Sequence, residues 1–331
     1  MTRVLIIGGG GMVGQKLAHK IAAEGIAGAA APEVTLYDLG FPADSAPGRQ
    51  ETGDLSAPGT AQRLVAARPD LIYHLAAIVS GEAEADFDKG WRVNLFAFWD
   101  FLEALRAEHL ASGGAYRPRV VFTSSIAVFG PPFPEKIGDD FLCAPQTSYG
   151  AQKACTELML ADLARKGFID GFSIRLPTIC VRPGKPNLAA SSFFSGIIRE
   201  PLNGVPAALP VPDTVRHWHA SPRSAAGFLA HAATIDTDAL DGRRALNMPG
   251  VSCTVAEQIE ALRAVAGNDA VGLIRPEPDE TIMRIVKGWP RNFAPDRALA
   301  LGFRAESNFR EIIDTYVAED MPASTKPGPA P

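Results

Sequence analysis

The chain has 331 residues, of which 47% are hydrophobic and 21% charged, a balance typical of a globular protein with a sizeable core. Its 32 basic and 37 acidic residues leave a formal net charge of −5 and form no basic block, so we expect no nucleic-acid partner. The sequence has no run of 18 apolar residues, and the run Val4 to Ile7 is too short for a secretory signal. We therefore expect a cytoplasmic protein without a membrane span.

No metal site is expected from the cysteines and histidines. The cysteines lie far apart and form no Cys-x-x-Cys pair, which also argues against a disulfide framework. His217 and His219 are two residues apart and could share one face of a strand, but no third ligand accompanies them. We interpret the cysteines as small hydrophobic residues: Cys143, Cys155, Cys180 and Cys253.

The first half of the chain alternates short apolar runs with longer segments of helical period. This alternation predicts an α/β fold, in which a parallel sheet of Rossmann-type doubly wound form is covered by crossover helices. The predicted strands comprise residues 3–7, 34–37, 71–75, 120–123 and 172–176.

Three helices have clear sequence signals. Val13, Leu17 and Ile21 recur at helical spacing after the first strand. Thr254 and Glu257 have the spacing of a capping box ahead of a further apolar helix with Ile259, Leu262 and Val265. A third helix carries an apolar stripe broad enough for a subunit contact as well as a core, formed by Trp91, Leu95, Phe98, Trp99, Leu102 and Leu105.

The segment 8–14, Gly-Gly-Gly-Gly-Met-Val-Gly, follows the first predicted strand and opens a helix. Its glycines at 8, 11 and 14 allow a tight turn, a close approach of the backbone to a pyrophosphate and close helix–strand packing. The N–H groups of the first helical turn, which starts at Met12 and Val13, would face the anion. Ordinary tight turns are also glycine-rich, so the flanking strand and helix carry this prediction of a dinucleotide site.

Asp38 ends the second predicted strand, where an acid would receive the ribose hydroxyls of the dinucleotide. A turn or N-cap aspartate is the alternative interpretation. An acid at this place repels the 2′-phosphate of NADP, and no Arg or Lys follows in residues 39–43. The sequence therefore favours NAD.

A serine, a tyrosine and a lysine form the predicted catalytic set. Tyr149 and Lys153 lie one helical turn apart, and Ser125 closes a strand of the same sheet. A tyrosine titrates at about 10, so it needs a neighbouring cation to act as a base near neutrality. In the predicted reaction Ser125 holds a substrate hydroxyl and Tyr149 takes its proton while hydride leaves for the nicotinamide. A Tyr-x-x-x-Lys pair alone is also common on solvent-facing helices.

These motifs, with Gly53-Asp54-Leu55, His74-Leu75-Ala76-Ala77 and Asn94, closely resemble the extended short-chain dehydrogenase/reductases. That superfamily includes sugar-nucleotide epimerases and dehydratases, and the order and spacing match along the whole chain. The resemblance implies a homodimer formed by the helix around residues 88–108 and the helix of Tyr149. It further implies that Asn94 supports the active-site region, and it places in contact with NAD the residues Asp54, Leu55, Leu75, Ala76, Ala77, Pro177 and Thr178.

The sequence departs from the sugar-nucleotide enzymes at two places. Phe129 stands where they usually have a tyrosine, and residues 175–187 differ from their customary segment. Within the superfamily, the chain instead looks like the D-erythronate dehydrogenase group, on the strength of residues 74–88, 175–187, 193–204 and 210–225. This resemblance implies oxidation of D-erythronate at C2 to 2-dehydro-D-erythronate in acid-sugar catabolism.

A small hydroxy acid needs a cation for its carboxylate and polar groups for its hydroxyls. The candidates for the carboxylate are Arg182, His217 and Arg223, and those for the hydroxyls are Ser80 and Thr178. Each of them could equally form a surface or interdomain contact. We expect an NAD-binding domain over residues 1–177, a smaller substrate-binding region over 178–320 with segments returning to the first domain, and a flexible tail over 321–331.

Two other functions fit the same motifs. A sugar-nucleotide epimerase or a uronate-type dehydrogenase would use the same catalytic set, and an epimerase would retain its NAD through each turnover. A non-catalytic dinucleotide sensor could share the fold. The presence of Ser125, Tyr149 and Lys153 together argues against the sensor.

Overall fold

The computed structural model describes residues 1–184 and 189–321 and contains two compact units. Unit 1 comprises Met1–Val128, Pro145–Leu176 and Ala226–Met248. Unit 2 comprises Phe129–Ala144, Pro177–Ala225 and the chain from Pro249 onward. The chain thus first enters unit 2 at Phe129, and it returns to unit 1 twice, at Pro145 and at Ala226, before the C-terminal segment. Apart from residue 321, the predicted tail lies outside the described residues.

The first half of the chain supplies most of unit 1. Its elements are β1 (Arg3–Ile7), α1 (Met12–Glu24), β2 (Glu33–Asp38), β3 (Arg49–Thr52), α2 (Thr60–Ala66), β4 (Leu71–His74), α3 (Ser80–Ala85), α4 (Phe87–Trp91), a π-helical segment (Arg92–Phe96), α5 (Ala97–Ala111), β5 (Arg119–Ser125), a 3₁₀ turn (Ile126–Val128), α6 (Ser148–Arg165) and β6 (Asp170–Leu176).

The second half of the chain supplies most of unit 2, but its residues 226–248 belong to unit 1. In chain order, the elements of this half are β7 (Thr178–Ile179), α7 (Ser192–Leu202), β8 (Ala207–Leu209), β9 (Arg216–Ala220), α8 (Pro222–Ala232), a 3₁₀ turn (Thr237–Leu240), β10 (Ala245–Asn247), β11 (Val251–Thr254), α9 (Val255–Val271), β12 (Ile274–Pro276), α10 (Glu280–Lys287), α11 (Asp296–Ala300) and α12 (Phe309–Glu319). Most of α8, this 3₁₀ turn and β10 lie in residues 226–248 and thus in unit 1.

Unit 1 is built on a seven-stranded sheet with the order β10-β6-β5-β4-β1-β2-β3, in which all neighbouring strands are parallel. The predicted Rossmann-type fold is therefore confirmed. The strand order reverses between β1 and β4, which is where doubly wound sheets bind their ligands. Ile7 pairs with both Tyr37 and His74, so β1, β2 and β4 end at the same level.

The core of unit 1 explains why the strands read as apolar runs. Leu5, Ile72 and Phe122 are buried under the helices, as expected for parallel strands that are covered on both faces. On α5 the stripe divides: Phe98 and Leu102 are fully buried, whereas Trp99 stays partly exposed.

Unit 2 contains two small sheets and a helical core. β9 pairs in parallel with β7 and antiparallel with β11, and β8 pairs with β12. The predicted capping box is confirmed, because the Glu257 N–H donates to Thr254 Oγ1 at 3.1 Å and the Thr254 N–H donates to the Glu257 carboxylate at 2.6 Å. Helix α9 then packs its Leu262 into the core of this unit.

Candidate active site

The glycine turn after β1 leaves no room for side chains. Gly8 has φ of +90° and donates its N–H to the Tyr37 carbonyl at 2.8 Å. A Cβ on Gly8 would lie 2.6 Å from the Ala76 nitrogen, and one on Gly14 would lie 2.3 Å from the Gly8 oxygen. Glycine is therefore required at both positions, by the turn and by the packing of α1 on the sheet.

The outer side of the turn is open. A Cβ on Gly11 would meet nothing closer than the Gly8 oxygen at 3.5 Å. Helix α1 begins at the next residue, Met12, and within the described chain no side chain caps its first turn. The exposed N–H groups and the helix dipole at this end suit a pyrophosphate.

Asp38 is fixed at the end of β2 by backbone contacts. The Gly10 N–H donates to its Oδ2 at 2.8 Å, and the Leu39 N–H donates to its Oδ1 at 2.7 Å. Each carboxylate oxygen keeps a further lone pair, so the group can still accept hydrogen bonds from a ribose. The carboxylate thus lies directly beside the glycine turn, as its place in the sequence predicts.

Other predicted cofactor contacts lie along the same edge of unit 1. The Ala76 N–H donates to the Ile7 carbonyl at 3.0 Å, which holds residues 75–77 against the glycine turn. Asp54 Oδ1 accepts from the N–H and the hydroxyl of Ser56. Leu55 belongs to the hydrophobic core. Ser80, which is predicted to contact the substrate, begins the short helix α3.

Asn94 lies in the π-helical segment and links two parts of the site. Its Oδ1 accepts from the Ile78 N–H at 2.9 Å, and its Nδ2 donates to Gln152 Oε1 at 2.8 Å. π-Helical turns often occur at functional sites because they reposition a side chain. Here the buried Asn94 connects the loop after β4 with the helix that carries Tyr149.

The start of α6 lies against the segment that follows β5. Thr147 Oγ1 caps the helix by accepting from the Gly150 N–H at 3.1 Å. A Cβ on Gly150 would lie 2.2 Å from the Ala127 oxygen, so only glycine allows this approach. Ala127 also donates its N–H to Ser125 Oγ at 3.2 Å, which leaves the serine hydroxyl proton for another acceptor. The first turn of α6, with Tyr149, thus packs beside the Ser125 segment.

Lys153 lies on the same helix, one turn after Tyr149, and its side chain is buried. Its side chain is 2% exposed, and its Nζ donates to the Thr123 carbonyl at 2.8 Å. Nζ lies 5.6 Å from the centre of the Tyr149 ring. Burial lowers the pKa of Lys153 to about 7, against an opposing effect of the Glu157 carboxylate. The lysine can therefore exchange a proton near neutrality while it remains next to Tyr149.

The sequence assigns no individual role to three residues near the site. The Thr123 carbonyl positions Lys153, but any residue type has a carbonyl and gives no signal. Gln152 is fully buried and accepts from Asn94. His74 is 1% exposed, and within the described residues neither of its ring nitrogens has a hydrogen-bond partner. Burial, with a smaller contribution from Lys153, lowers the pKa of His74 to about 3, so its ring is neutral.

The predicted substrate residues of unit 2 differ in their surroundings. Thr178 Oγ1 lies 2.7 Å from His217 Nε2. Arg182 donates from Nε to the Ile179 carbonyl at 3.0 Å and from Nη2 to Ser191 Oγ at 3.1 Å. These two contacts help to orient the guanidinium.

The other two candidates have partners of a different kind. Arg223 forms an ion pair with Glu319, with its side chain 54% exposed. His217 is 2% exposed, and both of its ring nitrogens lie at hydrogen-bond distance from other groups of unit 2. A cavity of about 570 Å³ in unit 2 is lined by other basic side chains, including Arg216, Lys287 and Arg291.

The described residues offer neither a metal cluster nor a membrane-spanning helix. In residues 1–184 and 189–321, no three His, Cys, Asp or Glu side chains come together in a way that could hold a metal ion. No helix in this part of the chain is both long enough and apolar enough to cross a membrane.

Residues 4–219 match the family described as NAD dependent epimerase/dehydratase. The chain belongs to this family. The match includes the glycine turn, Asp38 and the Ser125, Tyr149 and Lys153 set, and it confirms the predicted superfamily. It also reaches into unit 2 as far as His219.

Several members of the family are similar to this chain over almost its full length. It is 45% identical to the D-erythronate dehydrogenase of Cupriavidus necator, over 96% of this chain and 98% of that protein. It is 40% identical to the D-erythronate dehydrogenase of Haemophilus influenzae, over 96% of this chain and 100% of that protein. The crystal structure of a nucleoside-diphosphate-sugar epimerase from Agrobacterium tumefaciens matches with a TM-score of 0.91 at 56% identity, over 96% of this chain and 94% of that chain.

Proposed function

We propose that this protein is an NAD-dependent dehydrogenase of a small aldonic acid, and that it oxidises the C2 hydroxyl of D-erythronate to 2-dehydro-D-erythronate. The placement of Lys153 Nζ 5.6 Å from the Tyr149 ring, on a helix packed beside the Ser125 segment, is the observation that carries the reaction type. The full-length similarity to two D-erythronate dehydrogenases supports the substrate class.

The glycine turn and the strand ends of unit 1 are the proposed site for NAD, which accepts the hydride when it is bound. Asp38 would bind the ribose hydroxyls. The other proposed contacts of unit 1 are Gly8, Gly11, Met12, Val13, Gly14, Asp54, Leu55, Leu75, Ala76, Ala77, Asn94, Tyr149 and Lys153. In unit 2 we assign Pro177 and Thr178 to the nicotinamide end.

The proton of the substrate hydroxyl passes to Tyr149 in this proposal. Ser125 holds the hydroxyl, since its Oγ already accepts from the Ala127 N–H and can donate or accept toward the substrate. Lys153, fixed by the Thr123 carbonyl, stabilises the phenolate with its positive charge. The C2–H bond breaks with loss of a hydride and the O–H bond with loss of a proton, which leaves the ketone.

We assign the substrate carboxylate to Arg182. Arg182 follows β7 and Thr178 closely along the chain, whereas Arg223 forms an ion pair with Glu319. An anchored carboxylate would leave C2 as the carbon nearest to the nicotinamide. Ser80 and Thr178 remain the proposed partners for hydroxyl groups.

The test is to incubate the purified protein with NAD and a panel of C4 to C6 aldonic and uronic acids, and to follow NADH absorbance. We expect NADH in stoichiometric amounts with D-erythronate and a product with its ketone at C2. A ketone at C3, or no NADH with any of the acids, would contradict the proposal.

A sugar-nucleotide epimerase is the second candidate, because the Agrobacterium tumefaciens protein of the same fold is described as one. An epimerase returns the hydride to its substrate, so it interconverts two nucleotide sugars without accumulating NADH. Incubation with UDP-glucose, followed by product analysis, separates the two functions.

We also propose that the protein is a cytoplasmic homodimer. The family resemblance assigns α5 and α6 to the subunit contact, and both carry exposed apolar side chains. Trp99 on α5 is 39% exposed, Phe96 just before α5 is 55% exposed, and Leu158 on α6 is 73% exposed. Light scattering at micromolar concentration tests the dimer, and Leu158→Glu should shift it toward the monomer. A monomeric parent protein would rule it out.

A further inference from the structure

Thr178 and His217 are brought together by the pairing of β7 with β9. Thr178 pairs with His219, and His217 lies two residues earlier on the same face of β9. His217 Nε2 is 2.7 Å from Thr178 Oγ1, and its Nδ1 is 2.9 Å from the Pro290 carbonyl. Both contacts lie within unit 2.

These contacts determine where the ring carries its proton. A backbone carbonyl can only accept a hydrogen bond, so Nδ1 must carry the proton and donate it to Pro290. Burial lowers the pKa of His217 to about 4, which keeps the ring neutral at physiological pH. Nε2 is therefore an acceptor, and the Thr178 hydroxyl must donate to it.

The ring is also held in this orientation by its neighbours. It stacks on Phe194 with a centroid distance of 5.2 Å and an interplanar angle of 2°, and Trp289 lies 5.2 Å from it on the basis of ring centroids. His217 is 2% exposed, whereas Thr178 is partly exposed. Thr178 can thus meet a ligand, but its only hydroxyl proton already points to His217.

We propose that His217 is a positioning residue: it accepts the hydrogen bond of the Thr178 hydroxyl, so that Thr178 Oγ1 can only accept a hydrogen bond from a ligand. Such a contact selects a hydrogen-bond donor and rejects a carboxylate or carbonyl, which would face the Oγ1 lone pairs. The inference deepens the proposed function, because D-erythronate offers hydroxyls that donate and a carboxylate that does not. It places the carboxylate away from Thr178 and a hydroxyl, or the amide of the nicotinamide carboxamide, next to it.

The protonation of His217 can be measured without any substrate. The six histidines are labelled with ¹⁵N, and the ring nitrogens are observed by NMR in the NAD-free protein. The signals lost in His217→Gln identify this residue. We expect protonated Nδ1 and unprotonated Nε2, unchanged between about pH 5.5 and 8. A proton on Nε2, or titration of this ring near its ordinary pKa of about 6.5, would overturn the inference.

The selection itself is tested with two analogues of D-erythronate, in which fluorine replaces the hydroxyl at C3 or at C4. Fluorine cannot donate a hydrogen bond. In the parent protein, we expect one analogue to lose roughly tenfold more kcat/KM than the other, since one acceptor is left unpaired. Thr178→Val, which keeps the side-chain shape, should reduce this difference to about twofold or less.

The histidine variants separate positioning from packing. His217→Phe keeps a stacked ring but frees the Thr178 hydroxyl, so the difference between the two analogues should shrink. His217→Gln can accept from Thr178 and donate to Pro290, so it should restore the difference. If His217→Phe behaves as the parent protein does, or if His217→Gln and His217→Phe lose the difference equally, the positioning role is wrong.

If the group that donates to Thr178 is the amide of the nicotinamide carboxamide and not a substrate hydroxyl, the variants should behave differently. In that case Thr178→Val and His217→Phe weaken NAD binding by several-fold and leave the fluorine ratios unchanged, which supports the acceptor role with the cofactor as its ligand. Unchanged ratios together with unchanged NAD binding would overturn the inference. If the parent protein produces no NADH from D-erythronate, the proposed function fails, but the NMR and NAD-binding results still decide the role of His217.

Discussion

The two units hold their candidate site residues in different ways. In unit 1 backbone groups do most of the positioning: the Gly10 N–H holds Asp38, and the Thr123 carbonyl holds Lys153. In unit 2 side chains contribute more, as His217 does for Thr178 and Ser191 for Arg182, although the Ile179 and Pro290 carbonyls also hold Arg182 and His217. Backbone positioning depends on turns and strand ends and changes little with side-chain identity. Side-chain positioning can be altered by one substitution, which suits the unit to which we assign substrate selection.

Two buried histidines also differ between the units. His74 in unit 1 packs against Phe98 at 4.5 Å, and the described residues offer its ring nitrogens no partner. His217 in unit 2 has a partner on each nitrogen. His74 therefore acts in packing, whereas His217 determines a hydrogen-bond direction.

The largest expected effect concerns the chemistry of unit 1. Tyr149→Phe should lower kcat by roughly 10² to 10⁴, because only the proton-transfer group is removed, and it should still bind NAD. Tyr116→Phe is the matched control, since the Tyr116 hydroxyl donates to the Pro69 carbonyl inside the same unit and should affect stability alone. Turnover of Tyr149→Phe near the parent value would remove the proposed base from the mechanism.

The next effect tests a charged side chain of unit 2. Arg182→Ala should lower kcat/KM for D-erythronate. The loss of transition-state stabilisation should be roughly 2 to 4 kcal/mol if the carboxylate contact is shielded from water. Arg182→Lys keeps the charge but not the planar fork, so its loss should be smaller. Arg223→Ala is the comparison variant, because its partner Glu319 already shares the charge. A larger loss in Arg223→Ala than in Arg182→Ala would move the carboxylate to Arg223.

Much of unit 1 could be predicted from the sequence, because its elements have local signals. Buried parallel strands appear as apolar runs, and the glycines at 8 and 14 reflect contacts that admit no Cβ. Strand β3 escaped prediction because its sequence, Arg-Gln-Glu-Thr, is polar and lies at the sheet edge. The pairing of β10 with β6 joins residues about seventy positions apart, which no local pattern reveals.

The side-chain network of unit 2 could not be predicted for a related reason. The sequence identifies Thr178, Arg182 and His217 as candidates, but not which of them contact one another. Their partners depend on the pairing of β7 with β9 and on the approach of Pro290, more than seventy positions further along the chain than His217. Hydrogen-bond direction follows from that packing and from burial, and residue type alone leaves it open.

The buried histidines also make an acid-stability prediction. The pKa of His74 is about 3 and that of His217 about 4 in the folded protein, against about 6.5 when unfolded. Below pH 6.5 the unfolded chain binds protons that the folded chain does not, so stability falls as pH falls. Each residue should cost roughly 3 kcal/mol at pH 4, measured by urea unfolding.

Variants of these two histidines sharpen the comparison between the units. His74→Leu should weaken the dependence on pH with little change in stability at pH 7, because its ring nitrogens lose no partner within the described residues. His217→Leu should weaken the dependence equally but cost roughly 1 to 3 kcal/mol at pH 7, since it leaves Thr178 and the Pro290 carbonyl unpaired. Equal costs at pH 7 would contradict the contrast.

A smaller effect concerns the pH dependence of activity. With the pKa of Lys153 at about 7, the Tyr149 and Lys153 pair holds one proton more below pH 7 than above it. Tyr149 can receive the substrate proton only as a phenolate, so the Tyr149 and Lys153 pair must first have lost this proton. We expect kcat/KM for oxidation to rise about tenfold per pH unit below pH 7 and to level off above it. A flat profile between pH 6 and 8 would show that this pair does not limit the reaction.

The smallest expected effect distinguishes two roles of Asp38 in unit 1: its charge and its hydrogen bonds with backbone N–H groups. The parent protein should use NAD and use NADP poorly, because Asp38 would repel the 2′-phosphate and no basic residue follows in residues 39–43. Asp38→Ala should relax this preference by roughly tenfold, but it also removes the acceptor for the Gly10 and Leu39 N–H groups. Asp38→Asn keeps the shape and one acceptor oxygen while losing the charge. If repulsion sets the preference, both variants relax it in steady-state kinetics with the two cofactors, and Asp38→Asn keeps the better NAD affinity. Equal use of both cofactors by the parent protein would show that the assignment of Asp38 is wrong.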